Sequence, residues 1–127
     1  MPYLWVAIGG ALGSVARYGC SGLALRWLGV AFPYGTLFLN VTGSFVIGVL
    51  GTLALDAERS LSTTDARAFL IVGILGGFTT FSSFSFETLS LARGGNLSGA
   101  AMNIVLSLVL CLGAVWLGYA SATAFTR

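Results

Sequence analysis

The residues able to do chemistry here are an arginine, a glutamate, an asparagine and a run of phenylalanines interleaved with hydroxyls, all set in strongly apolar sequence. Gly73 to Glu87 reads GILGGFTTFSSFSFE, apolar enough for a membrane yet built to interrupt a helix. In lipid every backbone polar group needs an internal partner, so irregular backbone persists at membrane depth only where it is buried in protein or lines an aqueous path. The segment therefore reads as a site. Gly76-Gly77 followed by Phe78-Thr79-Thr80 is expected to interrupt the helix, freeing carbonyls of its first half and amides of its second. Freed carbonyls can hold a cation. Phe81 and Phe84 stand three apart, on one face of the resumed helix, with Ser82, Ser83 and Ser85 around them. An aromatic ring has a positive edge, so edge-on phenylalanines can contact an anion that has shed part of its water.

Arg17 is the one charge well inside an apolar span, which makes it a functional candidate facing a partner or a water-filled cavity. Its sign favours an anion. A cation pathway would be expected to carry carboxylates, whereas Asp56, Glu58 and Asp65 share one loop and only Glu87 lies near the membrane. The alternatives for Arg17 are snorkelling to an interface or pairing with Glu87. Asn40 is a further polar candidate, because an amide is costly to leave unpaired in hydrocarbon.

The elements that must position these residues follow from composition. The 127 residues are 57% hydrophobic and 8% charged, and the mean hydropathy of +0.95 belongs to a chain whose solvent is lipid. Six arginines against four acids give a net charge of +2, too sparse for a nucleic-acid footprint. There is no His, and Cys20 and Cys111 fall inside apolar runs, so neither a metal-ligand cluster nor a disulfide framework is supported. Both cysteines read as small packing residues. The N-terminus MPYLWVAIGG lacks the positive region of a secretory signal and is expected to stay as the first span.

Four apolar stretches, at about 3–28, 34–55, 67–93 and 97–125, each meet the requirement of about 20 residues for a crossing. They predict a single all-α transmembrane domain over residues 1–127, multi-pass in the cell inner (plasma) membrane. Ala31-Phe32-Pro33 makes the first turn, DAERSLSTTD from Asp56 to Asp65 the one hydrophilic loop, and Gly94-Gly95-Asn96 the third turn. Arg59, Arg67 and Arg127 fall on one side and Arg26 and Arg93 on the other, a nearly level count that permits both orientations. A chain this short barely encloses a pathway alone. A homodimer is therefore expected, with an antiparallel, dual-topology arrangement as one form and a fixed topology as its alternative.

Within the second span Thr36, Asn40, Ser44 and Gly48 recur every four residues, and in the fourth Gly99, Asn103, Ser107 and Cys111 do the same. Each set forms one stripe, open to two readings: lining a path, or letting helices approach and hydrogen-bond. Gly9 with Gly13 and Gly73 with Gly77 read as helix contacts.

Across its length the chain resembles the Fluc or CrcB family of small dual-topology fluoride channels. The resemblance rests on GALGSVARY in the first span, GTLFLNVTGSFVIG in the second, GGFTTFSSFSFE in the third, and Asn103, Ser107 and Gly113 in the fourth. It implies an antiparallel homodimer with two fluoride pores, each built from both subunits, that passively exports fluoride from the cytoplasm and limits its toxicity. By position, Phe81 and Phe84 match the pore phenylalanines, Asn40 the pore asparagine, and Arg17 the vestibule arginine. Gly76 and Thr79 match the positions whose backbone carbonyls bind a structural sodium ion, Na+, on the dimer axis. Ser82, Ser83 and Ser107 lie where members have a polar track. Asn103 stands where some members have a tyrosine, and Cys111 where they have a serine.

Three rivals are weaker. A small multidrug-type dual-topology transporter calls for a membrane carboxylate in the first span, which here carries Arg17. An assembly subunit of a larger complex leaves Asn40, Arg17 and the phenylalanine segment unexplained. An enzyme lacks a His, a nucleophile with a base, and a second carboxylate within reach of the membrane.

Overall fold

The computed structural model describes residues 1–55 and 63–126, which are helical apart from short connections and contain no strand. Helix α1 spans Pro2–Leu28, starting on a proline whose missing N–H costs nothing in a first turn. It ends at Gly29, which turns the chain at φ 81° while its N–H donates to the Leu25 carbonyl at 3.1 Å. Helix α2 spans Tyr34–Ala54, directly after Pro33. The hydrophilic loop expected at Asp56 to Asp65 lies largely outside the described residues, as do Arg59 and Arg127 of the charge count. Its last residues, Thr64 and Asp65, already belong to the short helix α3, Thr64–Arg67, whose Thr63 cap accepts the Ala66 N–H at 3.2 Å.

The third span is built in pieces. After α3 comes a π-helical segment, Ala68–Leu75, then one α turn, α4, Gly76–Phe78. Thr79 and Thr80 are extended, and α5 resumes over Phe81–Arg93. Gly94 and Gly95 make the turn to α6, Leu97–Phe125, with Gly95 at φ 87° and Asn96 Oδ1 capping the Gly99 N–H at 2.8 Å.

Three segments, Tyr34–Ala54, Thr64–Arg93 and Leu97–Phe125, are long and apolar enough to cross a membrane. At 27 residues α1 matches them in length, about 40 Å at the α-helical rise, and is not among them by hydropathy.

Backbone approach holds the helices together, as expected where lipid removes any hydrophobic drive between them. A Cβ on Gly9 would lie 2.3 Å from the Phe69 carbonyl oxygen, and one on Gly13 would lie 2.1 Å from that of Ile74. Two carbonyls of the π-helical segment thus face α1 at positions that only glycine allows, geometry suited to Cα–H···O contacts. Gly73 and Gly77 complete the seam from the other side, meeting Gly9 Cα and the Gly10 carbonyl. All four expected helix contacts are of this kind. Trp5 closes the end of the seam edge-on against Phe69, with ring centroids 5.7 Å apart.

A second seam joins α2 to α6 through Gly48, whose Cβ would meet the Val115 carbonyl at 2.4 Å, and Gly118, whose Cβ would meet that of Phe45 at 2.2 Å. Gly48 is therefore a packing residue rather than part of a polar lining. The Arg67 guanidinium closes the near end of this layer by donating to the Ala54 carbonyl, one of the acceptors left over where α2 ends.

Candidate functional site

The break falls later than the glycines suggest. Gly76, Gly77 and Phe78 stay helical, and the chain extends only at Thr79 (φ −85°, ψ 155°) and Thr80 (φ −153°, ψ 117°). Sterics decide this. Gly77 is needed as a bare backbone against α1, while the Thr79 methyl occupies the space that a Cβ on Gly43 of α2 would fill, 2.2 Å away.

Side chains supply partners to the Thr80 backbone and to the Ser83 N–H at the break. Asn40 of α2 reaches across with both ends of its amide: Nδ2 donates to the Thr80 carbonyl at 3.0 Å, and Oδ1 accepts the Thr80 N–H at 2.8 Å. Thr80 Oγ1 accepts the Ser83 N–H at 3.2 Å and caps α5. Thr79 N–H and Oγ1 both donate to the Leu75 carbonyl at 2.9 Å. In a continuous α-helix the N–H of Thr80 would go to the Gly76 carbonyl and that of Ser83 to the Thr79 carbonyl. Both donors are diverted, so these two carbonyls lose their helical partners. They are the pair expected to bind a cation.

A cavity of about 390 Å³ opens beside the break. Asn40 and Ser44 of α2, Phe81 and Phe84 of α5, and Ser107 and Cys111 of α6 line it, with Gly76, Thr79 and Thr80 at its floor. The two rings have centroids 5.3 Å apart and planes tilted by 52°. The cavity thus brings together six of the residues singled out by type and spacing. Phe81 remains 74% exposed, so within this one chain its ring has a wall on one side only.

Arg17 lies elsewhere. With Thr80, Ser83 and Glu87 it lines a larger cleft, of about 1010 Å³, between α1, α2 and α5. Its Nε is a buried donor with no hydrogen-bond partner among the described residues. Arg17 makes no ion pair with Glu87, whose Oε1 instead accepts the Thr36 hydroxyl at 2.7 Å. Thr36→Val would leave that part-buried carboxylate oxygen without its donor, a change worth about 1–3 kcal/mol. The expected result is a lower unfolding temperature in detergent, with Thr36→Ser close to the parent. Ser82 lines neither space; its Oγ is 3.1 Å from Thr80 Oγ1 at the start of α5.

The two polar stripes meet only in part. Ser44, Asn40, Ser107 and Cys111 share the small cavity, whereas Thr36 is committed to Glu87 and Gly99 to the Asn96 cap. Asn103 is 2% exposed and turned inward: its Nδ2 donates to Thr88 Oγ1 at 2.9 Å, and Thr88 in turn donates to the Phe84 carbonyl at 2.7 Å. Ser107 donates to Asn103 Oδ1 at 3.5 Å. Sequence spacing missed Thr80 and Thr88, because their roles are bonds across helix ends and between helices and leave no periodic trace.

Helices long and apolar enough to cross a membrane, one of them broken and held at the break by a neighbouring amide, define an all-helical, multi-pass membrane protein whose candidate site lies at the discontinuity. The family model for CrcB-like protein, Camphor Resistance (CrcB), matches residues 4–119, and the chain belongs to this family. Among its relatives is a protein of Opitutus terrae named fluoride-specific ion channel FluC, 54% identical over 94% of this chain and 91% of its own length. Proteins of the same name from Methylocella silvestris, 48% identical over 100% of this chain and 97% of theirs, and from Thermus thermophilus, 54% identical over 92% and 91%, are similarly close.

Proposed function

We propose that this protein is a fluoride-selective passive channel, a four-span antiparallel homodimer of the inner membrane that lets fluoride leave the cytoplasm. The convergence of Asn40, Phe81, Phe84 and Ser107 on one cavity beside the helix break carries the reading. Kinship with proteins named fluoride-specific ion channels supports it.

Fluoride holds its water tightly, so a pore must replace that water in steps, firmly enough to admit the ion and weakly enough to release it. Two Asn40 amide atoms are engaged with Thr80, but an amide nitrogen carries two hydrogens. The second is free to donate to an anion in the cavity. The Phe81 and Phe84 edges stabilise the partly dehydrated ion, and the Ser107 hydroxyl turns from Asn103 to donate as it passes. In the neighbouring cleft the unpartnered Arg17 Nε raises local anion concentration, with Ser83 leading toward the break.

The exposed side of Phe81 calls for a second copy to complete the wall, which favours the dimer. The carbonyls of Gly76 and Thr79, diverted from helical bonds, suit a hard cation such as sodium, shared between two copies. When bound, that ion supplies a fixed positive charge that joins the two broken helices and offsets anion desolvation.

Efflux from liposomes containing the purified protein tests the reading. Fluoride should leave rapidly and chloride at the rate of protein-free vesicles; chloride leaving as fast as fluoride would sink it.

A further inference from the structure

We infer that Asn40 and Thr80 are the positioning residues that hold the Gly76 and Thr79 carbonyls out of the helical ladder and so keep the cation site open. The inference rests on the sodium reading above and assigns its maintenance to side chains that do not themselves bind the ion.

A backbone break is not stable merely because glycines stand near it, and here those glycines are helical. The natural partner of the Thr80 N–H is the Gly76 carbonyl, four residues back, and that of the Ser83 N–H is the Thr79 carbonyl. Left alone, both pairs would close and consume two oxygens. Two side chains prevent it, one for each pair. Asn40 Oδ1 takes the Thr80 N–H at 2.8 Å, and its Nδ2 holds the Thr80 carbonyl at 3.0 Å, so one amide replaces a donor and an acceptor together. Thr80 Oγ1 takes the Ser83 N–H at 3.2 Å.

The two devices depend on each other. Thr80 caps α5 only in its extended conformation, and the paired amide bonds from α2 are what hold it there. Gly43, three residues beyond Asn40 on the same helix, leaves room for the Thr79 methyl and fixes which residue precedes the turn. Because Asn40 also lines the small cavity, one side chain serves the anion path and the cation site at once. Its loss should therefore disturb both, whereas loss of the Thr80 hydroxyl should act first on the cation.

The test uses the full-length protein in detergent, with unfolding temperature followed against sodium concentration and choline chloride keeping ionic strength constant. The parent and Thr80→Ser, which retains the capping oxygen, should show the same sodium midpoint. Thr80→Val and Asn40→Ala should require at least about tenfold more sodium, equivalent to 1.4 kcal/mol of lost binding. Thr80→Ala, smaller and without a branched methyl, gives a second probe of the cap should the valine variant fail to fold. Parent-like midpoints in the folded Thr80 and Asn40 variants would overturn the inference while leaving sodium binding intact. A parent protein indifferent to sodium would remove the sodium reading and this inference with it, leaving the fluoride flux measurement standing on its own.

Discussion

Phe81→Ile should lower fluoride flux from liposomes by about 10- to 100-fold while the protein still elutes as the parent assembly does. Isoleucine keeps part of what phenylalanine supplies and lacks the rest. It is similarly apolar and fills part of the same volume, so the wall of the cavity and its packing against lipid or a second copy are largely retained. It has no ring edge. Phe81 and Phe84 lie 5.3 Å apart and tilted, so an ion in the cavity can meet hydrogens from both rings. An anion that has given up part of its water relies on such contacts, and each 1.4 kcal/mol missing at the top of the barrier costs a factor of about ten. Phe84→Ile should follow the same direction, and the backbone carbonyl that ties Thr88, and through it Asn103, to α5 is kept in the variant. An unchanged rate in Phe81→Ile would take the ring out of the mechanism and leave the hydroxyls and Asn40 to carry dehydration.

Gly13→Val should yield no folded protein, for a reason independent of transport. A Cβ there falls 2.1 Å from the Ile74 carbonyl oxygen and 3.0 Å from the Phe78 nitrogen, both backbone atoms that cannot rotate away. The helices would have to separate, and the seam from Trp5 to Gly77 would open along its length. Overpacking usually costs about 1–3 kcal/mol where side chains can shift, and here the obstruction is backbone. Gly10→Ala is the control, since a Cβ at Gly10 meets nothing within 4 Å in the chain. Size-exclusion profiles in detergent decide it: a well-behaved Gly13→Val peak would mean that α1 tolerates displacement from the broken span.

Much of the architecture was legible because the membrane imposes a simple rule on composition. Long apolar runs bounded by Gly29, Pro33 and Gly94-Gly95 marked the helices to within a few residues. The glycine pairs of α1 and the third span were legible as contacts, since small residues four apart have one ordinary use in lipid. Gly48 stays open to both readings in the sequence because its small size suits a pore lining as well as a helix contact, and only the position of Gly118 opposite it shows which use applies. The π-helical register of Ala68–Leu75 had no sequence signal: its composition is that of any buried helix, and its register is set against Gly9 and Gly13.

The site divides along the same line. Residue types and spacing by themselves determined that a helix breaks between Gly73 and Glu87, that Asn40 needs a partner, and that Phe81 and Phe84 share a face. They could do so because apolar sequence makes each polar exception expensive and therefore meaningful. Only the tertiary structure decided that the break lies at Thr79-Thr80, that Asn40 commits its amide to the Thr80 backbone, and that Arg17 and the phenylalanines occupy different spaces. These are questions of which helix stands opposite which. A hydrogen bond between residues forty apart depends on the rotation and depth of both helices, and neither quantity is written in the periodicity of one.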